Sequence, residues 1–427
     1  MTYAEKSRHQ LQDELDILTG EYARWQARGL ALNMARGKPA PAALDLSRDL
    51  LDALPGDGAM TDAAGNDLRN YGLLTGLDEA KELMGQIMGV PAANVIVLGN
   101  SSLNIMYDTV SRSVTHGVLG FTPWAKLDKV KFLCPAPGYD RHFAITQHFG
   151  IQNIVVPMTP QGPDMTVVEH YVNTDPAVKG IWCVPKYSNP QGITYSAKTV
   201  RRFASLRPAA GDFRIYWDNA YAVHDLAEKG DQLADLKHAA DAAGNPDLYY
   251  MFASTSKITF AGSGIAAVAS SAANLAELQN TLFYQTIGAD KINQMRHVHY
   301  LKDIEGVAAQ MRRLAAVIAP KFDAVLKTLD AGLGGLGISS WTKPNGGYFI
   351  SFDGLPGTAK RIVTLAKEAG VTLTSAGATY PYGKDPQDAN IRIAPTYPSV
   401  DELALASELF VVCVKIASIE LLLADKS

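Results

Sequence analysis

The chain has 427 residues, 47% of them hydrophobic, enough to bury a large core and to divide into two domains. Its 39 Lys plus Arg against 43 Asp plus Glu give a formal charge of −4 without a basic block or arm, so a nucleic-acid role has no electrostatic support. Cys134, Cys183 and Cys413 lie far apart without metal-ligand spacing, which excludes a cysteine-rich metal site and favours buried free thiols.

Met1-Thr2-Tyr3-Ala4-Glu5-Lys6 lacks the apolar core of a signal peptide. From about Ser7 to Arg28 the residues Leu11, Leu15, Leu18 and Tyr22 recur at steps of three and four, which predicts a helix. Leu32 to Pro41 is a crossing segment punctuated by Gly and Pro. Short apolar runs then alternate with helical stretches. The runs are 94–98, 130–134, 153–157, 180–185, 213–217, 249–253 and 264–269, several of them apolar on both faces, as in a buried and mostly parallel sheet. Stretches such as 102–114 and 196–206 read as the intervening helices of a doubly wound α/β domain. A long helix from Leu301 towards Leu329 leads out of this region. Runs 347–352, 371–374 and 391–393 then read as strands of a smaller α+β unit. The apolar segment 403–424 carries Glu408, Lys415 and Glu420, so it reads as a packed helix and not a membrane span. A soluble cytoplasmic protein is expected, with a large domain over 45–320 and a small one formed by 1–44 and 321–427.

The chemistry gathers around Lys257, which follows an apolar run in Ser254-Thr255-Ser256-Lys257. Upstream stand Tyr187-Ser188-Asn189-Pro190-Gln191-Gly192 and Trp217-Asp218-Asn219-Ala220-Tyr221. A lysine, an aspartate, a tyrosine and an asparagine at strand ends form a set suited to pyridoxal 5′-phosphate. The amine makes the Schiff base, the carboxylate pairs with the ring nitrogen, and the donors serve the ring oxygen. In Leu98-Gly99-Asn100-Ser101-Ser102 a strand gives way to a helix, so backbone amides and hydroxyls can converge on a phosphate, with Ser254 and Ser256 opposite. Arg392 sits in the apolar stretch Ile391-Arg392-Ile393, where an unpaired guanidinium is costly and an anionic partner is implied.

Taken in order, from Arg36-Gly37-Lys38-Pro39 to Ile391-Arg392-Ile393-Ala394-Pro395, these motifs resemble the class I aminotransferases of pyridoxal-phosphate fold type I. They look most like the bacterial aspartate-aminotransferase-like subgroup related to the catalytic domain of MocR-type regulators. The resemblance implies a large cofactor-binding domain with a seven-stranded, mostly parallel sheet plus a smaller α+β domain. It implies that Lys257 binds the cofactor and shuttles the substrate proton, that Asp218 keeps the ring nitrogen protonated, and that Asn189 and Tyr221 bond the ring oxygen. Tyr139, in Pro137-Gly138-Tyr139-Asp140-Arg141-His142, matches the residue stacked on the ring, and His142 the histidine that supports the aspartate. Arg392 corresponds to the arginine that grips the substrate's α-carboxylate, with Gly37 adding a backbone N–H. Lys343-Pro344-Asn345-Gly346-Gly347-Tyr348-Phe349 matches a Gly-Gly-aromatic run of the small domain. Tyr71, in Asn70-Tyr71-Gly72, corresponds to a tyrosine that reaches the neighbouring subunit's phosphate, which implies a homodimer with shared sites.

Two departures stand out. The family's phosphate-binding arginine, about eight residues after the lysine, is absent, and Lys291, within its own subunit or across the dimer interface, is the candidate substitute cation. The region 283–291 also lacks the arginine that reads the distal carboxylate, so Arg36, Lys38 and Arg141 are the candidates for that contact. The resulting expectation is a transaminase moving the amino group between aspartate or glutamate and 2-oxo acids in two half-reactions, without metal, nucleic acid or membrane. A transaminase for aromatic or 2-aminoadipate-type substrates, or a β-lyase, would share the same lysine chemistry. A non-catalytic cofactor-sensing regulator would carry a helix-turn-helix, and the roughly thirty-five residues before Arg36 show none.

Overall fold

The computed structural model describes residues 2–54, 58 and 60–425. Its largest sheet runs in the order Val95–Val97, Ala266–Ala269, Tyr249–Ser254, Arg214–Asp218, Val178–Cys183, Lys131–Ala136, Gln152–Thr159. The two-residue strand Gly162–Pro163 adds an eighth member at the far edge. From Tyr249–Ser254 to Gln152–Thr159 every neighbouring pair is parallel, whereas Ala266–Ala269 is antiparallel to both of its neighbours. Parallel pairing brings the carboxyl ends of five strands to one edge, and Asp218 and Ser254 are the last residues of theirs.

The central strands are buried on both faces, and their period-two alternation splits the side chains between two cores. Leu133, Ile181, Trp217 and Met251 face one way, against helices that include Asp78–Met88, Met165–Thr174 and Ala197–Ala204. Phe132, Trp182, Tyr216 and Phe252, one residue out of step, face the other way against Ser102–His116, Asp140–His148 and Ala272–Gln285. A third core joins Leu11, Leu18 and Tyr22 of the helix Arg8–Ala27 to Ile350, Phe352, Ile391 and Ile393 and to the C-terminal helix Val400–Asp425. Ser339–Trp341, Ile350–Gly354 and Asn390–Ile393 form its antiparallel sheet.

Two local expectations change. Val371–Thr372 does not join that sheet; it pairs in parallel with Leu32–Asn33, part of the segment read as a mere crossing. The long helix spans Ile304–Leu333 and is preceded by a separate helix, Lys291–Leu301. The chain breaks at Lys302, where φ is +65°, and Asp303 then caps the next helix by accepting from the Gly306 amide. Along Ile304–Leu333, Val307, Met311 and Leu314 enter the first core and Ile318, Phe322, Val325 and Leu329 the third. This one helix is thus a beam shared by both units. Among the described residues no helix is long and apolar enough to cross a membrane. The three cysteines are buried and free.

Candidate active site

A cavity of about 580 Å³ opens at the carboxyl edge of the parallel strands, between the large sheet and the third core. Ser101, Ser102, Tyr139, Arg141, Asn189, Asp218, Tyr221, Ser254, Ser256 and Lys257 line it from the large sheet, and Arg36, Gly37 and Arg392 from the smaller unit. His142 stands just behind this wall, and Tyr71 and Lys291 lie outside it.

Lys257 rides on a turn clamped at its base, where the Thr255 amide donates to the Ile265 carbonyl and Thr255 Oγ1 accepts from the Ile265 amide. Gln310 donates to the Ile258 carbonyl and Thr259 Oγ1 meets His297 Nε2 at 2.9 Å, so two helices brace the same turn. Lys257 Nζ lies 5.1 Å from the Tyr221 ring centre and 5.9 Å from that of Tyr348. Burial lowers its amine below the ordinary lysine range, against the opposing pull of the Asp218 carboxylate. An amine so lowered spends more of its time as a neutral nucleophile and base.

Asp218 is buried, with Oδ2 2.9 Å from His142 Nε2 and with Oδ1 lacking any partner. A buried carboxylate oxygen left bare is costly, and its environment calls for a proton donor or cation. A protonated pyridine nitrogen meets that demand, so the residues present fit the cofactor ring. The His142 ring is held by stacking on Trp182, at 4.6 Å and 13°, and by the edge of Tyr139 at 4.8 Å. Burial and then the nearby Asp218 and Asp140 carboxylates push the Tyr139 phenol up to about 12. Burial likewise holds Tyr221 well above the ordinary range, so both are hydroxyl donors at neutral pH.

At the other end, no side chain caps the helix Ser102–His116, whose N-cap residue is Ser101. Ser254 Oγ donates to Ser256 Oγ at 3.0 Å, which donates to the Asn100 carbonyl at 3.3 Å. An uncapped helix start with converging hydroxyls suits a phosphate dianion. The position eight beyond Lys257 is Ile265, whose side chain is sunk in the first core, so that position presents no cation to the cavity. Lys291 does not replace it within the chain. Its ammonium is buried and donates to the Asn70 and Gly72 carbonyls, which leaves it tethering the Tyr71 segment. Tyr71 itself is 83% exposed.

Arg392 faces the cavity from Asn390–Ile393, with its guanidinium 5.0 Å from the Phe349 ring centre. Its Nη1 donates to Asp140 Oδ1 at 2.9 Å and to Asn189 Oδ1 at 3.3 Å, and its buried Nε is unpartnered. Gly37 is fixed by contact, because a Cβ there would lie 2.3 Å from Phe349 Cζ. Lys38 Nζ sits 4.0 Å over the Tyr397 ring, and neither Arg36 nor Arg141 makes an ion pair among the described residues.

Sequence reading missed the roles of Asp140, Phe349 and His224. Asp140 lies inside a motif it did single out, but its partner is 252 residues away. His224 is buried beside Tyr221 and Tyr348, and neither ring nitrogen makes a well-formed hydrogen bond. Burial, and then the Lys257 charge, push its pKa down to about 3, while a loose approach to the Lys257 backbone opposes the shift only weakly.

A lysine amine, a bare carboxylate and an anion cradle at the carboxyl edge of a parallel sheet define an α/β enzyme built around a phosphorylated cofactor. The fold is shared with LysN, the α-aminoadipate aminotransferase of Thermus thermophilus, solved with N-(5′-phosphopyridoxyl)-L-leucine. That structure matches with a TM-score of 0.70 at 20% identity, over 94% of this chain and 95% of the other. A family model for aspartate amino-transferase matches residues 6–426, and the chain belongs to that family. The aspartate aminotransferase of Corynebacterium glutamicum is 46% identical over 396 residues, covering 92% of this chain and 91% of that protein. The crystal structure of an aspartate transaminase from the same species matches with a TM-score of 0.96 at 43% identity, covering 99% of each chain.

Proposed function

We propose that the protein is an aspartate transaminase that uses pyridoxal 5′-phosphate to move amino groups between aspartate or glutamate and 2-oxo acids. The observation that carries this reading is the placement of the Lys257 amine, the bare Asp218 Oδ1 and the Arg392 guanidinium on one cavity. When bound, the cofactor supplies an electron sink that acidifies the substrate Cα–H. Asp218 Oδ1 accepts from the ring nitrogen and keeps it protonated, with His142 fixing the carboxylate from behind. Tyr221 donates its phenol proton to the ring oxygen. Asn189, having given its amide oxygen to Arg392, has its amide nitrogen available for the same oxygen. The uncapped amides at Ser101 and Ser102, with Ser254 and Ser256, hold the phosphate. Lys257, lowered by burial, takes up the Cα proton and returns it. Arg392 receives the α-carboxylate, and Arg36, Lys38 and Arg141 supply positive charge for the distal one.

The active unit is a homodimer on this reading. Tyr71, Phe283, Tyr284 and Ile287 are all exposed, and the Lys291 tether to Asn70 and Gly72 joins their two segments. An apolar patch of this kind suits a second copy, with Tyr71 reaching the partner's phosphate. The smaller unit, over 1–44 and 321–427, closes on substrate about the shared beam helix near Pro320 and excludes water. Adding aspartate, glutamate, phenylalanine and 2-aminoadipate separately to the holoenzyme, and following the cofactor's visible absorbance, tests the assignment. Conversion by aspartate and glutamate is expected. Silence with every amino acid would sink the transaminase reading, and conversion by phenylalanine or 2-aminoadipate alone would move the substrate class.

A further inference from the structure

The guanidinium that receives the substrate's carboxylate already holds one. Arg392 belongs to the smaller unit, and Asp140 opens the helix Asp140–His148 on the large sheet, so their 2.9 Å contact spans the cavity that both line. The contact is single-pronged, with one carboxylate oxygen on one guanidinium nitrogen, and Arg392 Nε stays buried without a partner. A carboxylate that presents both oxygens to a guanidinium makes a paired, stronger contact, so Asp140 is the weaker of the two possible occupants.

The two partners also differ in what they need from each other. Asp140 is the first residue of its helix, where the N-terminal amides favour a negative charge, and its side chain is 37% exposed, so water can take it on release. The Arg392 side chain is 9% exposed, in an apolar strand and against the Phe349 ring, and leaving it without an anion would be costly. The geometry points to Asp140 as a resident carboxylate that occupies Arg392 until the substrate's carboxylate displaces it. Substrate capture is then an exchange of carboxylates, and Asp140 sets the affinity for them. The inference rests on the transaminase reading only for the identity of the incoming carboxylate.

Asp140→Asn keeps the side chain's shape and removes its charge. The probe is succinate, a dicarboxylate without an amino group to transfer, titrated into the holoenzyme. Its dissociation constant is expected to fall about ten-fold in Asp140→Asn, with the KM for aspartate falling alongside and kcat not rising. In an Arg392→Gln background the same substitution should change succinate affinity by less than about twofold, because the competitor's target has gone. Unchanged or weaker succinate binding in Asp140→Asn overturns the inference, since a residue that merely orients Arg392 loses affinity when its charge is removed. An equal gain in both backgrounds overturns it too, as it would report only the general field of the cavity. Should Asp140→Asn fail to fold, Asp140→Ser gives the same readout. Failure of the wild type to turn over aspartate would sink the transaminase reading, while the ratio of succinate affinities would still decide the part played by Asp140.

Discussion

His224 offers a test of how dry the wall behind Lys257 is. Its ring is buried between Tyr221 and Tyr348, and its pKa is pushed from 6.5 down to about 3, first by burial and then by the Lys257 charge. A histidine depressed in the folded state is neutral there while the unfolded chain binds a proton. The stability it carries is therefore complete above about pH 6.5 and is lost progressively as pH falls from there towards about 3. At about 1.4 kcal/mol per pH unit, the loss between pH 7.5 and pH 5 is about 2 kcal/mol from this residue alone. His224→Phe preserves a planar ring, discards two buried nitrogens without well-formed partners and cannot titrate. Urea unfolding of wild type and variant, followed by tryptophan fluorescence at pH 7.5 and pH 5.0, gives the comparison. The two proteins should be similar in stability at pH 7.5, and the variant should lose about 2 kcal/mol less on acidification. Equal losses in both would refute the reasoning, because they would mean that His224 is solvated or charged in the folded protein.

Three further outcomes follow from the site. Asp218→Asn keeps the bond geometry and removes a charge whose pairing across ~4 Å at an effective dielectric of ~20 is worth about 4 kcal/mol, so the single-turnover rate with aspartate should fall about 10³-fold. A fall smaller than about ten-fold would take the ring nitrogen away from Asp218. Gly37→Ala drives a methyl group into Phe349, so aspartate KM should rise and stability drop by about 1–3 kcal/mol, and an unaltered melting temperature with unaltered KM would show that Phe349 yields freely. Lys291→Met strands the Asn70 and Gly72 carbonyls, so dialysis should show a faster loss of cofactor and sedimentation a weakening of the proposed dimer. Retention at the wild-type rate with an unchanged dimer would remove Lys291 from both roles.

Much of this was legible in the chain because it depends on local pattern and on one property of parallel sheets. Runs such as 213–217 and 249–253 are apolar on both faces, so they had to be interior strands, and parallel strands put their carboxyl ends on one edge. Residues that close those runs, Asp218 and Ser254, together with Lys257 just beyond, therefore meet without any knowledge of strand order. Arg392 announced an anion by its charge in an apolar strand. The sequence alone thus settled the class of fold and the chemical inventory of the cavity. Only the tertiary structure decided who holds whom. The break at Lys302 carries no Gly or Pro signal, and the pairing of Leu32–Asn33 with Val371–Thr372 joins two short segments from opposite ends of the chain. Lys291 is spent on the Asn70 and Gly72 carbonyls, His224 is sealed without a well-formed hydrogen bond, and Asp140 reaches Arg392 across the cavity. Such contacts are set by where loops cross after the sheet has formed, and residue type limits what each group can bind without fixing which partner comes within reach.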